Sequence, residues 1–256
     1  MPQSSVQTVA DILLTAREQR HSVPAADYTN MLSEPEHAYA VQAVVAGALG
    51  WFDTGFPQYW KSGGPNRETT LTHAPLPPAG VWQSPASAQG HDFNSLSIEA
   101  EIALRVGQNV DAATAATLDE TGANTLVDAM AVSIEIVDSR WAENMSAPAL
   151  LRLADLQSHG ALVLDAWQPW SQRNWQQQTC RVAVGSQPIV ERRGTHPLGN
   201  PLWGFGAWLR HATRNGATVP AGTVVTTGTW VGILDAHAGD KVVVEFDGIG
   251  SAQVQL

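Results

Sequence analysis

The chain has 256 residues, 44% hydrophobic and 15% charged, with 24 Asp and Glu against 14 Lys and Arg and a formal net charge of −10. That balance excludes a disordered chain, allows a sizeable core, and produces a negative field that repels nucleic acid and anionic membrane surfaces. No stretch approaches the roughly 18 to 20 uncharged apolar residues of a spanning helix, so we expect no nucleic-acid or membrane partner, and any anionic ligand must be drawn in by a local cation. Met1 to Ser5 carries no basic segment followed by an apolar run, and the single cysteine, Cys180, has no internal disulfide partner; both point to the reducing cytoplasm.

In chain order, Val9, Ile12, Leu13 and Ala16 recur at helical spacing, and Ser33-Glu34-Pro35-Glu36 reads as a capping box opening a second helix that Gly50 ends. From Trp51 to Asn94 the pattern dissolves into Gly, Pro, Trp, Asn and Ser, a loop region long enough to be functional. Over Ser97–Val106 the apolar Ile98, Ala100, Ile102, Leu104 and Val106 alternate with Glu99, Glu101 and Arg105, which is strand periodicity. A helix-prone stretch over Thr117–Ala129 precedes a second strand, Ala131–Val137, with Glu135 alone among apolar neighbours. Trp203–Arg214 reads as an amphipathic helix, and Thr223–Thr227 and Lys241–Phe246 as strands joined by a Gly-rich turn. Helices first and strands later predict an α+β fold with a largely β core.

Residues two apart on a strand project from one face with Cα atoms roughly 7 Å apart, so Glu99 and Glu101 can converge on one cation. An all-oxygen set favours Mg²⁺, Mn²⁺ or Ca²⁺ over zinc. Alternation equally describes a solvent-facing strand. A carboxylate between Ile134 and Ile136 is costly to bury unless metal-bound or paired, and Arg140 or Lys61 are the candidate ion-pair partners of Glu135.

The runs Ile98–Leu104 and Ile134–Arg140, with the tail from Gly239-Asp240-Lys241 to Gly248-Ile249-Gly250-Ser251, resemble the 2-keto-4-pentenoate hydratase and 4-oxalocrotonate decarboxylase family of the fumarylacetoacetate hydrolase superfamily. Ala38–Gln42, Gly194–Leu198 and Thr226-Thr227-Gly228 extend the likeness over about residues 37–256 in consistent order. The resemblance implies a mixed β-roll of the fumarylacetoacetate hydrolase C-terminal type with a helical N-terminal segment: one domain over 1–256, helical over 1–50, an active-site loop region over 51–94 and a β-roll core over 95–256. It implies Glu99, Glu101 and Glu135 as ligands of Mg²⁺ or Mn²⁺, Lys61 as the active-site lysine, and Ser158 and Thr227 as substrate-binding residues. It further implies a small 2-oxo acid substrate, a homo-oligomer, and a complex with a related decarboxylase or hydratase as an option. Two departures stand out. After Lys61 the chain reads Ser62-Gly63-Gly64-Pro65-Asn66-Arg67-Glu68 with no counterpart of the family's loop aspartate, and Leu156 replaces an asparagine.

A 2-oxo acid presents its carboxylate and adjacent carbonyl as a chelate, which a metal on three carboxylates can polarise. Lys61, desolvated beside the metal, is expected to have a lowered pKa and to pass a proton to or from the enol. Arg67 can neutralise a second substrate carboxylate. The implied activity is a divalent-metal-dependent hydratase of a 2-hydroxydienoic acid such as 2-hydroxypenta-2,4-dienoate, in the catabolism of aromatic compounds. The alternatives are a decarboxylase of a 4-oxalocrotonate-like acid, a C–C hydrolase of an acylpyruvate, and a weakly catalytic partner subunit. His73, His91 and His196 and the ten tryptophans are read first as solvated, helix-entry or core residues.

Overall fold

The computed structural model describes residues 2–52 and 55–256. Its helices are α1 (Pro2–Gln19), α2 (Pro35–Ala48), α3 (Ala112–Thr117), α4 (Glu120–Leu126), α5 (Ala149–Ala154) and α6 (Phe205–Ala212). The strands of the first half are β1 (Tyr59–Gly63), β2 (Thr72–Leu76), β3 (Val81–Gln83), β4 (Ala86–Ser87), β5 (Ser97–Val106) and β6 (Val127–Val137). Those of the second half are β7 (His159–Leu164), β8 (Gln168–Pro169), β9 (Thr179–Val184), β10 (Val190–Arg193), β11 (Val224–Thr226), β12 (Leu234–Asp235), β13 (Lys241–Phe246) and β14 (Gly250–Gln255).

They form two mixed sheets, as an α+β chain with a helical start should. One runs β2-β1-β11-β5-β6-β7-β3, with β12 added to β5 and β8 to β6; the other runs β10-β9-β13-β14-β4. The longest strands, β5 and β6, pair antiparallel at the centre of the first. Their even-numbered residues Ile98, Ile102, Leu104, Val132, Ile134 and Ile136 face the second sheet and are fully buried in the main core. Each such side chain contributes about 1.5–3 kcal/mol on leaving water. Helices α1, α2 and α5 close a separate apolar cluster around Trp141, whose indole Nε1 donates to the Leu151 carbonyl at 2.8 Å.

Several local expectations change. No capping box forms: Glu34 is the N-cap residue of α2 and makes no side-chain capping bond, while Ser33 Oγ lies 3.4 Å from His37 Nδ1. Pro35 at the first helical position, where no amide hydrogen is needed, starts the helix instead. The helix expected over Thr117–Ala129 is shorter, α4 capped by Asp119 and ending at Leu126 because Val127 onward is drawn into the sheet, and a separate short helix, α3 capped by Asp111, precedes it. Residues 51–94 include four short strands: β2 and β3 are the edges of one sheet and β4 an edge of the other, while β1 lies between β2 and β11. The Pro and Gly in and around them hid them, and Pro75 is tolerated in β2 because an edge strand leaves one side unpaired. The strands β11 and β13 are not a hairpin but belong to different sheets, so the segment between them crosses the core.

Candidate active site

The period of two in β5 puts Glu99 and Glu101 on the face opposite Ile98 and Ile102, and the antiparallel register sets Glu135 of β6 directly across from Glu99. One carboxylate oxygen of each lies within 4.8 Å of the others. This is no solvent face: Glu101 and Glu135 are buried and Glu99 is half-buried. Lys61 enters from β1, which pairs parallel with β11. Its ammonium donates to Glu135 Oε1 at 2.5 Å and to the Gln157 carbonyl at 3.3 Å. The ion-pair partner of Glu135 is therefore Lys61, while Arg140 is engaged by Asp138 and Asp155.

The remaining contacts fix the carboxylates. His159 Nδ1 sits 3.0 Å from Glu135 Oε1. Thr226 Oγ1 donates to Glu101 Oε2 and lies 3.1 Å from Ser133 Oγ. Glu135 Oε2, by contrast, is buried with no hydrogen-bond partner among the described residues, an arrangement that is costly unless a further positive group faces it. Three convergent carboxylates beside one ammonium make an all-oxygen donor set that a hard divalent cation fits.

The electrostatics express the same crowding. Burial, with the Glu101 and Glu135 charges beside it, pushes the Glu99 carboxyl up to about 8. Burial and then Glu135 push Glu101 up to about 7, against the pull of Lys61 and Thr226. For Glu135 burial acts upward, yet Lys61 and His159 together hold it below the usual carboxylate range. The expected lowering of Lys61 is reversed: burial acts downward, but the attraction of Glu135, Glu99 and Glu101 outweighs it and the ammonium is held above its ordinary value. Sequence reasoning weighed desolvation and a metal charge without the three carboxylates at contact distance.

A cleft of about 830 Å³ opens on this group, lined by Lys61, Glu99, Glu101, Gln157, Thr226 and Arg152 among others. Three sequence candidates sit differently from these. Ser158 is fully buried, its Oγ without a partner among the described residues. Thr227 turns into the core and donates to the Ile102 carbonyl at 2.7 Å, so of the two neighbours it is Thr226 that lines the cleft. Arg67 donates through Nε to the Leu198 carbonyl at 2.7 Å and stacks over Trp203, which takes it out of the cleft wall; Arg152 and Arg192 are the guanidinium groups there. Sequence reading missed His159, Gln157 and Arg152. Gln157 and His159 flank Ser158 in the sequence, and Arg152 follows Ala149 by three on α5, the spacing of one helix face. His73, read as a loop residue, is buried in β2 with Nδ1 at 3.0 Å from Ser62 Oγ.

Comparison with known proteins fits this geometry. The family described as fumarylacetoacetate hydrolase C-terminal matches residues 54–256. The 4-oxalocrotonate decarboxylase of Pseudomonas putida G7 is similar in structure in two forms. Complexed with calcium and acetate it gives a TM-score of 0.81, and with magnesium and adipate 0.82. Both comparisons have 18% identity and cover 99% of this chain and 97% of that one. The 5-carboxymethyl-2-hydroxymuconate delta-isomerase of Mycobacterium smegmatis is similar at a TM-score of 0.51 and 15% identity over 78% of each chain. No curated protein sequence matches the chain.

Proposed function

The chain belongs to the fumarylacetoacetate hydrolase family, and on that premise we propose that it is a divalent-metal-dependent lyase acting on a small 2-oxo or 2-hydroxydienoic acid. Within that class we favour a hydratase, with 2-hydroxypenta-2,4-dienoate as the type substrate, working in the cytoplasm on products of aromatic-ring breakdown. The observation that carries the reading is the Glu135 carboxylate, which converges with those of Glu99 and Glu101 and whose buried Oε2 has no hydrogen-bond partner among the described residues. That the structurally similar decarboxylase is complexed with calcium or magnesium supports a hard divalent cation as the partner of these carboxylates.

Glu99, Glu101 and Glu135 would hold Mg²⁺ or Mn²⁺, which supplies a Lewis acid for the 2-oxo carboxylate. The chain's own residues manage the proton. Lys61, charged and aimed by Glu135 and the Gln157 carbonyl, delivers a proton to the dienol carbon as general acid and recovers it from water. Thr226 holds Glu101 in place, and the apolar Leu153, Pro197 and Trp230 in the cleft wall exclude bulk water from the enolate.

A second reading, decarboxylation, has a specific observation in its favour: Arg152 and Arg192 line the same cleft and can bind a second carboxylate of a dicarboxylic substrate. An assay with Mg²⁺ separates the two. Hydration consumes dienoate absorbance without releasing CO₂, decarboxylation of 4-oxalocrotonate releases it, and hydrolysis of an acylpyruvate yields two acids. Absence of all three activities at saturating Mg²⁺ would overturn the proposal and favour a partner subunit.

A further inference from the structure

Leu156, Gln157 and Ser158 hold φ angles of 52°, 57° and 60°, three consecutive non-glycine residues in the left-handed region. Such a run persists only where its surroundings over-determine it. Here both ends are tied by one group. Arg140 Nη2 donates to the Asp155 carbonyl at 3.4 Å and to the His159 carbonyl at 2.9 Å, the two residues that flank the run. The same guanidinium donates through Nε to Asp155 Oδ1 at 2.7 Å and through Nη1 to Asp138 Oδ2 at 3.1 Å, and the Arg140 amide donates to Asp155 Oδ2 at 2.9 Å. From above, the Asp138 amide donates to the Ser158 carbonyl at 2.8 Å.

What the turn presents lies in the site. The Gln157 carbonyl takes a hydrogen bond from Lys61, the Gln157 side chain donates to Thr72 Oγ1, and His159 meets Glu135 on the oxygen that Lys61 also touches. Arg140 itself is buried and touches neither Lys61 nor a carboxylate of the cleft. We propose that Arg140 is a positioning residue: by clasping both ends of the left-handed turn it sets the direction of the Lys61 ammonium and of Glu135. This rests on Lys61 being the acid of the proposed reaction. A guanidinium suits the task because its planar fork places several donors at once, which lysine cannot do.

The chain has only two lysines, Lys61 and Lys241, so selective ¹³Cε-lysine labelling gives two resonances, and loss of one in Lys61→Met assigns the other. In Arg140→Gln we expect the Lys61 resonance of the metal-free protein to move toward that of exposed Lys241. We also expect kcat to fall at least 20-fold while KM stays within threefold. Arg17→Met is the control, because Arg17 binds the same Asp155 Oδ1 at 2.9 Å but neither turn carbonyl; it should lower thermal stability and leave resonance and kcat unchanged. An unmoved resonance in Arg140→Gln, or an equal shift in Arg17→Met, overturns the proposal. If Arg140→Gln does not fold, Asp155→Asn is measured in its place against the same two outcomes. The resonance needs no turnover, so full activity in Lys61→Met would defeat the functional reading alone and leave the positioning claim to be decided by the spectra.

Discussion

Lys61 Nζ lies 2.5 Å from Glu135 Oε1, across a separation of 74 residues in sequence and two strands in the sheet. The ammonium is nearly buried and the carboxylate fully so. Removing either member leaves an uncompensated charge, so the two single variants should behave differently and each in a definite direction.

Glu135→Gln removes an anionic donor at constant shape. Mg²⁺ affinity should fall by on the order of 100-fold or more, beyond the roughly 10- to 100-fold cost of losing an outer-shell partner. Isothermal titration calorimetry checks it, and wild-type affinity would remove Glu135 from the ligand set.

Lys61→Ala should reduce turnover by about 10²- to 10⁴-fold, the range of a lost general acid, while Mg²⁺ affinity holds or rises because a competing cation has gone. Steady-state rates and calorimetry on one preparation test both halves. Full activity would return Lys61 to a purely electrostatic role.

Because Glu99 is pushed up to about 8 and Glu101 to about 7, the metal-free protein carries protons there near neutrality. Their folded values exceed the unfolded ones, so these groups favour the folded state most below the ordinary carboxylate range and lose that contribution as pH rises through about 7 to 8. Mg²⁺ must displace those protons, so affinity should weaken as pH drops from 8 to 6. Titrations at pH 7 in buffers of different ionisation enthalpy should give different heats; identical heats would refute proton release.

His73 and His211 lie with ring centroids 4.6 Å apart and ring planes tilted by 43°. Burial lowers both to about 3, with His211 and then Arg214 adding to His73, and Arg214 to His211. Their folded values lie below the unfolded value of about 6.5, so the unfolded chain binds more protons between those limits. Their contribution to stability is complete above about pH 6.5 and declines as pH falls toward 3, at up to roughly 1.4 kcal/mol per unit for buried His73. Because Glu99 and Glu101 act in the opposite direction over the same range, the histidine contribution is read by difference: between pH 7 and pH 5, urea unfolding of His73→Gln should show less loss, or more gain, of stability than the wild type. An identical change in the two proteins would assign the acid limb elsewhere.

The clearest sequence features were those with local causes. Alternation over Ser97–Val106 coincides with β5, and it places Glu99 and Glu101 on one face through the pleat alone. Glu135 was noticed because a carboxylate among Ile and Val residues demands a partner. The short strands β1 to β4 were missed because the Pro and Gly in and around them leave no periodic signal, and the turn at Leu156–Ser158 because left-handed backbone at non-glycine residues is dictated by its neighbours, here Arg140.

From its own residues the chain determined an α+β architecture and the pair of carboxylates on one strand face, since side-chain parity and burial cost act between near neighbours. Only the tertiary structure decided that Lys61 rather than Arg140 meets Glu135, that Thr226 rather than Thr227 lines the cleft, and that Arg152 faces it while Arg67 stacks on Trp203. Those outcomes depend on strand register between segments far apart in the chain, where a shift of one residue exchanges one face for the other.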